Sequence, residues 1–340
     1  MSDAPHADVR GPSGPPTASR ELLESIDLVT FDVFGTLVDW QQALPALGVP
    51  FDKMPVFLRE SERQQRPQRR DAPFVAYRGL LEHVGTVLRP DLPLETVRRW
   101  ARGFGELPFF TDTVPAIRLL GGVVDVGVIS NCDAVHQLDV ERRIGRPWDV
   151  CAVAEELEAY KPTDRAWDRA VQIVERRGYD RTRWLHVSAW DDYDLAPAAA
   201  RGVRTAYLPR PGGVPPRPES IDAQFHDLLH LARAFADARG GPLLYEVEAR
   251  AADAAVLERF VRWMRDEHVA AVRACAGVRS AELVAVDSLR VRAVYRFTGR
   301  SAYARYLERD APRLRARGRE LFSETEVAFT RNEATILHVT

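Results

Sequence analysis

The stretch LVTFDVFGTLVDW, Leu28 to Trp40, opens with an apolar run that carries one acid, Asp32, and breaks at Gly35-Thr36. Near-continuous apolar character fits a strand covered on both faces. A strand that ends in an acid followed by Gly-Thr places Asp32 at the carboxyl edge of its sheet, where open α/β folds bind their ligands. The glycine permits a sharp turn, and Thr36 can hydrogen-bond there.

Outward from this strand, four more apolar runs follow: VVDVGVIS, DVCAVA, WLHVSAW and RTAYLP. Helical patterns separate them, at residues 114–120, 165–177 and 194–201. That alternation predicts an α/β domain with a Rossmann-like parallel sheet. Between the first two strands lies an insertion, about residues 41–107, rich in arginine and aromatics, and expected to form a helical lid. SIDAQFHDLLHLARAFADA, residues 220–238, is expected to close the domain as a helix, with RGGP as the linker beyond it.

Residues 243–340 change rhythm: a strand LLYEVEA, a helix over 253–275, strands RSAELVAV and LRVRAVYRF joined at Asp287-Ser288, a helix over 301–321, and a last strand. This βαββαβ order predicts an α+β ferredoxin-like domain. The expected division is therefore a disordered lead-in over 1–20, an α/β domain over 21–238 and the second domain over 243–340. A chain of 340 residues fits that count.

Composition narrows the function classes. A net charge of −2 gives no reason to expect nucleic acid or a membrane surface as partner. No run approaches the roughly 20 apolar residues of a membrane span, and the amino-terminal segment lacks a signal peptide's apolar core. Three scattered cysteines suit a reducing compartment, so a cytoplasmic location is expected. Among 47 basic residues only Lys53 and Lys161 are lysines.

Three further features fall at the carboxyl edge with Asp32. Ser130-Asn131 ends the second strand, Lys161 stands in AYKPTD, and Asp191, Asp192 and Asp194 follow the fourth strand in VSAWDDYDL. An acid able to act as nucleophile, neutral hydrogen-bond donors, a lysine and a second acidic cluster thus converge.

FDVFGTL, VISN, YKP and the acids before DLAPAAARGV, in this order and with an insertion after the first strand, resemble the four motifs of the haloacid dehalogenase-like superfamily. The resemblance covers about residues 26–211. It implies a hydrolase in which Asp32 attacks an electrophilic carbon or phosphorus to form a covalent ester. Lys161 would keep Asp32 ionised, with Asp194 and Asp191 as the other catalytic acids. Thr36, Ser130, Asn131, Phe34 and the lid residue Arg63 would bind a small anionic substrate, with Arg59 and Arg66 as rivals of Arg63. Phosphatases of the superfamily usually carry a second aspartate where Phe34 stands, to protonate the leaving oxygen. A halide leaves without a proton, so DVFGTL looks like the 2-haloacid dehalogenase branch.

Dehalogenation of a small 2-haloacid without any cofactor is the leading expectation. A phosphatase using Mg2+ held by Asp32, Asp191 and Asp192 is the alternative, because the adjacent acids look like a metal-binding pair. A non-catalytic ligand-binding or scaffolding role through the second domain is the alternative of another class. Cys132 is read as a small filler and His186 as a packed histidine. The second domain resembles dimeric α/β-barrel proteins, which implies a homodimer. Its first helix, with Phe260, Trp263, Met264 and Val272 at helical spacing, is read as the dimerising core. His268 and Glu246 are the residues to follow if the domain binds a ligand instead.

Overall fold

Six short strands build the first sheet: β1 (Leu28–Phe31), β2 (Asp125–Ser130), β3 (Val150–Val153), β4 (Trp184–Ser188), β5 (Arg204–Tyr207) and β6 (Ala223–Gln224). The computed structural model describes residues 18–65, 73–239 and 242–335. Most of the expected lead-in, the linker glycines and Arg66 lie outside the described residues. The strands run parallel in the order β3-β2-β1-β4-β5-β6, which puts β1 in the middle. Side chains alternate across a strand. Val29 and Phe31 therefore enter one apolar core, while Leu28 enters a second on the opposite face with Trp167 and Trp184. Burial on both faces is why the strands read as unbroken apolar runs.

The helix expected over 220–238 starts only at Leu228 and ends at Arg239. Before it, Phe225 N–H bonds Tyr207 C=O at 3.1 Å, completing the edge strand β6. Asp227 Oδ1 then accepts from His230 N–H at 2.7 Å and caps the helix. The expected helix over 194–201 is instead a π-turn, Asp191–Leu195, followed by the short helix Ala196–Ala199. Pro197 in its first turn has no N–H to extend the ladder backwards.

The segment between β1 and β2 is helical, including Met54–Gln65, Tyr77–Leu88 and Leu94–Arg102. Asp133, fully buried beyond the end of β2, accepts from Tyr77 N–H at 2.7 Å and Arg78 N–H at 2.8 Å. Those bonds satisfy orphan donors at a helix start and anchor the insertion beside the carboxyl edge of the sheet.

The second sheet comprises β7 (Leu243–Ala251), β8 (Val278–Ala285), β9 (Arg290–Phe297) and β10 (Val327–Thr335), all antiparallel in the order β10-β7-β9-β8. That is the ferredoxin-like order, with helices on one face. Tyr245, Ala249, Ala293 and Tyr295 belong to the core against those helices. Their neighbours Glu246, Glu248 and Arg292 take the opposite face, where Glu248 pairs with Arg290 and Arg292. Both long helices contain a π-turn, at Met264–His268 and Tyr306–Asp310.

The two domains meet at the amino edge of the first sheet. Asp27 and Asp125, each preceding or opening a strand, are buried. Asp27 pairs with Arg183 at 2.6 Å and with Arg305 of the second domain. Arg279, on β8, reaches Asp125 at 2.9 Å and Asp149 at 2.8 Å.

Candidate active site

Asp32 leaves β1 at its carboxyl end and is 2% exposed. The turn behind it depends on Gly35, whose φ of +103° is a conformation that favours glycine. A Cβ there would stand 2.9 Å from the indole nitrogens of both Trp40 and Trp190, so the bare backbone also lets those rings close in. Thr36 Oγ1 donates to Asp32 Oδ2 at 3.0 Å. Its own backbone carbonyl is fixed by Arg210 Nε at 2.9 Å, while Arg210 grips Asp112 with both terminal nitrogens.

Lys161, 1% exposed, spends all three ammonium protons inside the fold. They go to Asp32 Oδ1 at 3.1 Å, Asp194 Oδ1 at 2.6 Å and Ile129 C=O at 2.8 Å. Asn131 positions the lysine's backbone: its Oδ1 accepts from Lys161 N–H at 2.8 Å and its Nδ2 donates to Lys161 C=O at 3.0 Å. Ser130 Oγ is buried and has no hydrogen-bond partner among the described residues.

A chain of buried bonds stands behind Asp194. Trp184 Nε1 donates to Thr30 Oγ1 at 2.6 Å, and Thr30 Oγ1 lies 2.9 Å from His186 Nδ1, which accepts its proton because the Asp194 carboxylate requires the ring's own proton on Nε2. His186 Nε2 then carries the proton and donates to Asp194 Oδ1 at 3.3 Å, while Ser188 Oγ donates to Asp194 Oδ2 at 2.8 Å. Burial pulls the His186 pKa down, so the ring is a neutral donor. His186 is thus packed, as expected, but it also orients an acid. Neither Ser188 nor Arg210 was singled out by the sequence motifs.

The electrostatics split the two carboxylates. Burial pushes Asp32 up from its ordinary 3.8 to about 6, with Lys161 opposing and Asp194 reinforcing the rise. For Asp194, burial also disfavours charge, but Lys161 and His186 outweigh it and hold the carboxyl below its usual range. Burial likewise opposes the Lys161 charge, and the two acids overcome it, raising its pKa. Asp194 is the permanent counter-ion of Lys161, and Asp32 is the more basic of the two acids.

A cavity of about 630 Å3 opens over Asp32. Asp32, Phe34, Ser130, Asn131 and Lys161 line it, together with Phe57, Ser61 and Gln65 from the helical insertion. Lys161 Nζ lies 5.0 Å from the ring centre of Tyr193, another wall residue. Thr36 and Asp194 stand just behind the wall. Arg63 is exposed, 3.9 Å from Glu60, and does not line the cavity; Arg59 is exposed as well. The cavity's only lining cation among the described residues is Lys161.

Asp32, Asp191 and Asp192 do not make a fitting Mg2+ donor set. Asp32 faces Lys161 and Thr36, Asp191 Oδ2 accepts from Arg217 at 2.8 Å while its Oδ1 is buried without a partner among the described residues, and Asp192 is an exposed residue of the cavity wall. Among the described residues no group of three His, Cys, Asp or Glu is arranged to hold a metal ion. No helix among them is long and apolar enough to cross a membrane.

Solved structures share the fold of the first domain. An L-2-haloacid dehalogenase is 26% identical, with a TM-score of 0.53, over 62% of this chain and 99% of its own. A defluorinating L-2-haloacid dehalogenase is 23% identical, with a TM-score of 0.51, over 62% of this chain and 95% of its own. The L-2-haloacid dehalogenase of Xanthobacter autotrophicus has the same fold at 14% identity and a TM-score of 0.51, over 61% and 97% of the two chains. No curated protein matches the chain. Residues 243–336 match a domain of unknown function, DUF4286. The first domain therefore has the fold of the haloacid dehalogenases, and the chain joins it to a carboxyl-terminal α+β domain with a ferredoxin-like antiparallel sheet.

Proposed function

We propose that the first domain is a hydrolase that removes halide from 2-haloacids through an ester on Asp32. The observation that carries this reading is the company of Asp32: a lysine it shares with a second acid, and Phe34 on the cavity wall where a proton donor for a leaving oxygen would stand.

An Asp32 carboxylate oxygen attacks C2 of the substrate as the carbon–halogen bond breaks, and halide leaves with the bonding pair. No proton is required at that step. Lys161 keeps Asp32 ionised and oriented, and the free hydroxyl of Ser130 donates to the substrate carboxylate. Water then adds to the Asp32 ester carbonyl. Cleavage of its bond to the substrate oxygen regenerates Asp32 and releases a 2-hydroxyacid and a proton. The aromatic walls formed by Trp40, Phe57, Tyr77 and Trp190 favour acids with an apolar substituent over the smallest haloacids.

Halide release from both enantiomers of 2-chloropropionate and of 2-chloro-3-phenylpropionate, with chelator present, tests the proposal. Release that vanishes in Asp32→Asn is the expected result. No release, with Mg2+-dependent hydrolysis of p-nitrophenyl phosphate instead, overturns it in favour of a phosphatase. Absence of both activities leaves the chain a binding protein.

A further inference from the structure

The second domain carries a pocket of about 490 Å3, partly open to solvent, between the helix-covered face of its sheet and its two long helices. The volume falls in the range of small-molecule pockets, roughly 300–1,000 Å3. The walls are strongly aromatic, with Tyr245 and Tyr295 from the sheet and Phe260, Trp263 and Phe322 from the helical layer.

Trp263 is the unusual member. Its ring lies 5.7 Å from Phe260, 5.8 Å from Phe322 and 4.8 Å from His268, centre to centre. It rests on the bare backbone of Gly318, where a Cβ would meet the indole at 2.9 Å. Its Nε1 is buried and has no hydrogen-bond partner among the described residues. The adjoining π-turn, Met264–His268, is a distortion often found at binding sites and brings His268 to the cavity wall.

Charge decides which ligand suits. Arg315, Arg319 and Arg331 line the cavity against a single acid, Glu324. Arg315 donates to Tyr245 Oη at 3.2 Å, which holds its guanidinium over the aromatic wall. Glu246 is excluded from the site, because it lies on the opposite face of β7 from the wall residues Tyr245 and Val247.

We propose that the second domain binds an aromatic carboxylic acid in this pocket, with its ring among Phe260, Trp263 and Tyr295 and its carboxylate received by Arg315. Flat rings suit the aromatic walls, and a carboxylate accepts from a guanidinium in a charge-assisted pair. The site is independent of the chemistry at Asp32.

Calorimetric titration of the full-length chain with 2-naphthoate tests the assignment, with naphthalene-2-carboxamide and decanoate as controls. Saturable binding to the wild type and to Asp32→Asn is expected. Arg315→Met should weaken 2-naphthoate at least tenfold and leave the weaker carboxamide unchanged, and Ala293→Phe, which fills the cavity, should abolish both. Circular dichroism verifies that each variant is folded, with Arg319→Met replacing any that is not. No binding of 2-naphthoate to the wild type, an affinity indifferent to the arginine variants, or tighter binding of decanoate overturns the proposal.

Discussion

Lys161 stands closer to Asp194, at 2.6 Å, than to Asp32, at 3.1 Å. The shorter bond marks the more permanent pair: Asp194 also accepts from Ser188 and His186, whereas among the described residues the Asp32 carboxylate has only Thr36 besides the lysine. One buried cation thus fully compensates one acid and lends part of its field to the other. A nucleophile needs that division, because an acid held as tightly as Asp194 would be a poor base for carbon.

Removing the cation strands both carboxylates. Breaking a buried ion pair by deleting one partner costs about 3–5 kcal/mol. Lys161→Met is therefore expected to lose that much stability in urea unfolding at pH 7, along with all turnover. A loss below about 1 kcal/mol would mean that Lys161 is not the counter-ion of Asp194.

Burial raises Asp32 from 3.8 to about 6, so the fraction of active enzyme should climb through that pH. The acid limb of kcat/KM for halide release is expected near pH 6, well above an ordinary aspartate, and a limb near pH 4 would contradict the assignment.

The same shift has a consequence for folding with the opposite sense. A carboxyl whose folded pKa exceeds its unfolded value binds its proton more tightly when folded. Asp32 is then neutral toward stability below pH 4 and becomes destabilising as pH rises through about 6. Two units correspond to at most about 3 kcal/mol. Asp32→Asn is expected to be more stable than the wild type at pH 8, with the gain fading toward pH 4. Equal unfolding curves at both pH values would show that the carboxylate is not desolvated.

Much of this site was legible in the sequence because its residues sit where strands end. Asp32, Ser130, Asn131 and the acids after β4 follow from apolar runs that stop at polar residues, and Lys161 stood out in a chain with two lysines. Arg63 was not placed correctly by spacing alone: a helix turns a residue every 100° or so, and this position faces solvent while Ser61 and Gln65 face the cavity. The Trp184–Thr30–His186 chain was hidden for a different reason. Its members are adjacent only across β1 and β4, and nothing in either strand by itself announces the pairing. The helix starts at Leu228 and Ala196 depended on side-chain caps and a proline, which compete locally with apolar periodicity.

Gly35 supplies a backbone test of the site. Alanine would be held at φ +103° with its Cβ 2.9 Å from two indole nitrogens. Strain of this kind costs about 1–3 kcal/mol. Gly35→Ala is expected to lower the melting temperature and to reduce kcat more than it raises KM, because the turn it distorts carries Asp32 and Thr36. Wild-type kcat in a stable Gly35→Ala protein would show that this turn does not set the nucleophile's position.

The amino edge of the sheet carries the last prediction. Asp27 is 3% exposed and Arg305 is 9% exposed, and they pair across the two domains while Arg279 reaches Asp125 from the second. Replacing Arg305 removes one of the two cations that meet Asp27 and leaves Arg183, so the penalty is smaller than for a lone buried charge, and replacing both partners removes it. Arg305→Met is expected to destabilise the chain by about 1–3 kcal/mol, and Asp27→Asn with Arg305→Met to recover most of that loss. The readout is the coupling energy from a double-mutant cycle in urea, with tryptophan fluorescence and circular dichroism followed together. Coincident transitions in the wild type that separate in Arg305→Met would show that the charge cluster makes the two domains unfold as one. A coupling energy near zero would mean that Asp27 is neutralised by Arg183 alone, and that the domains are held together by their apolar contacts.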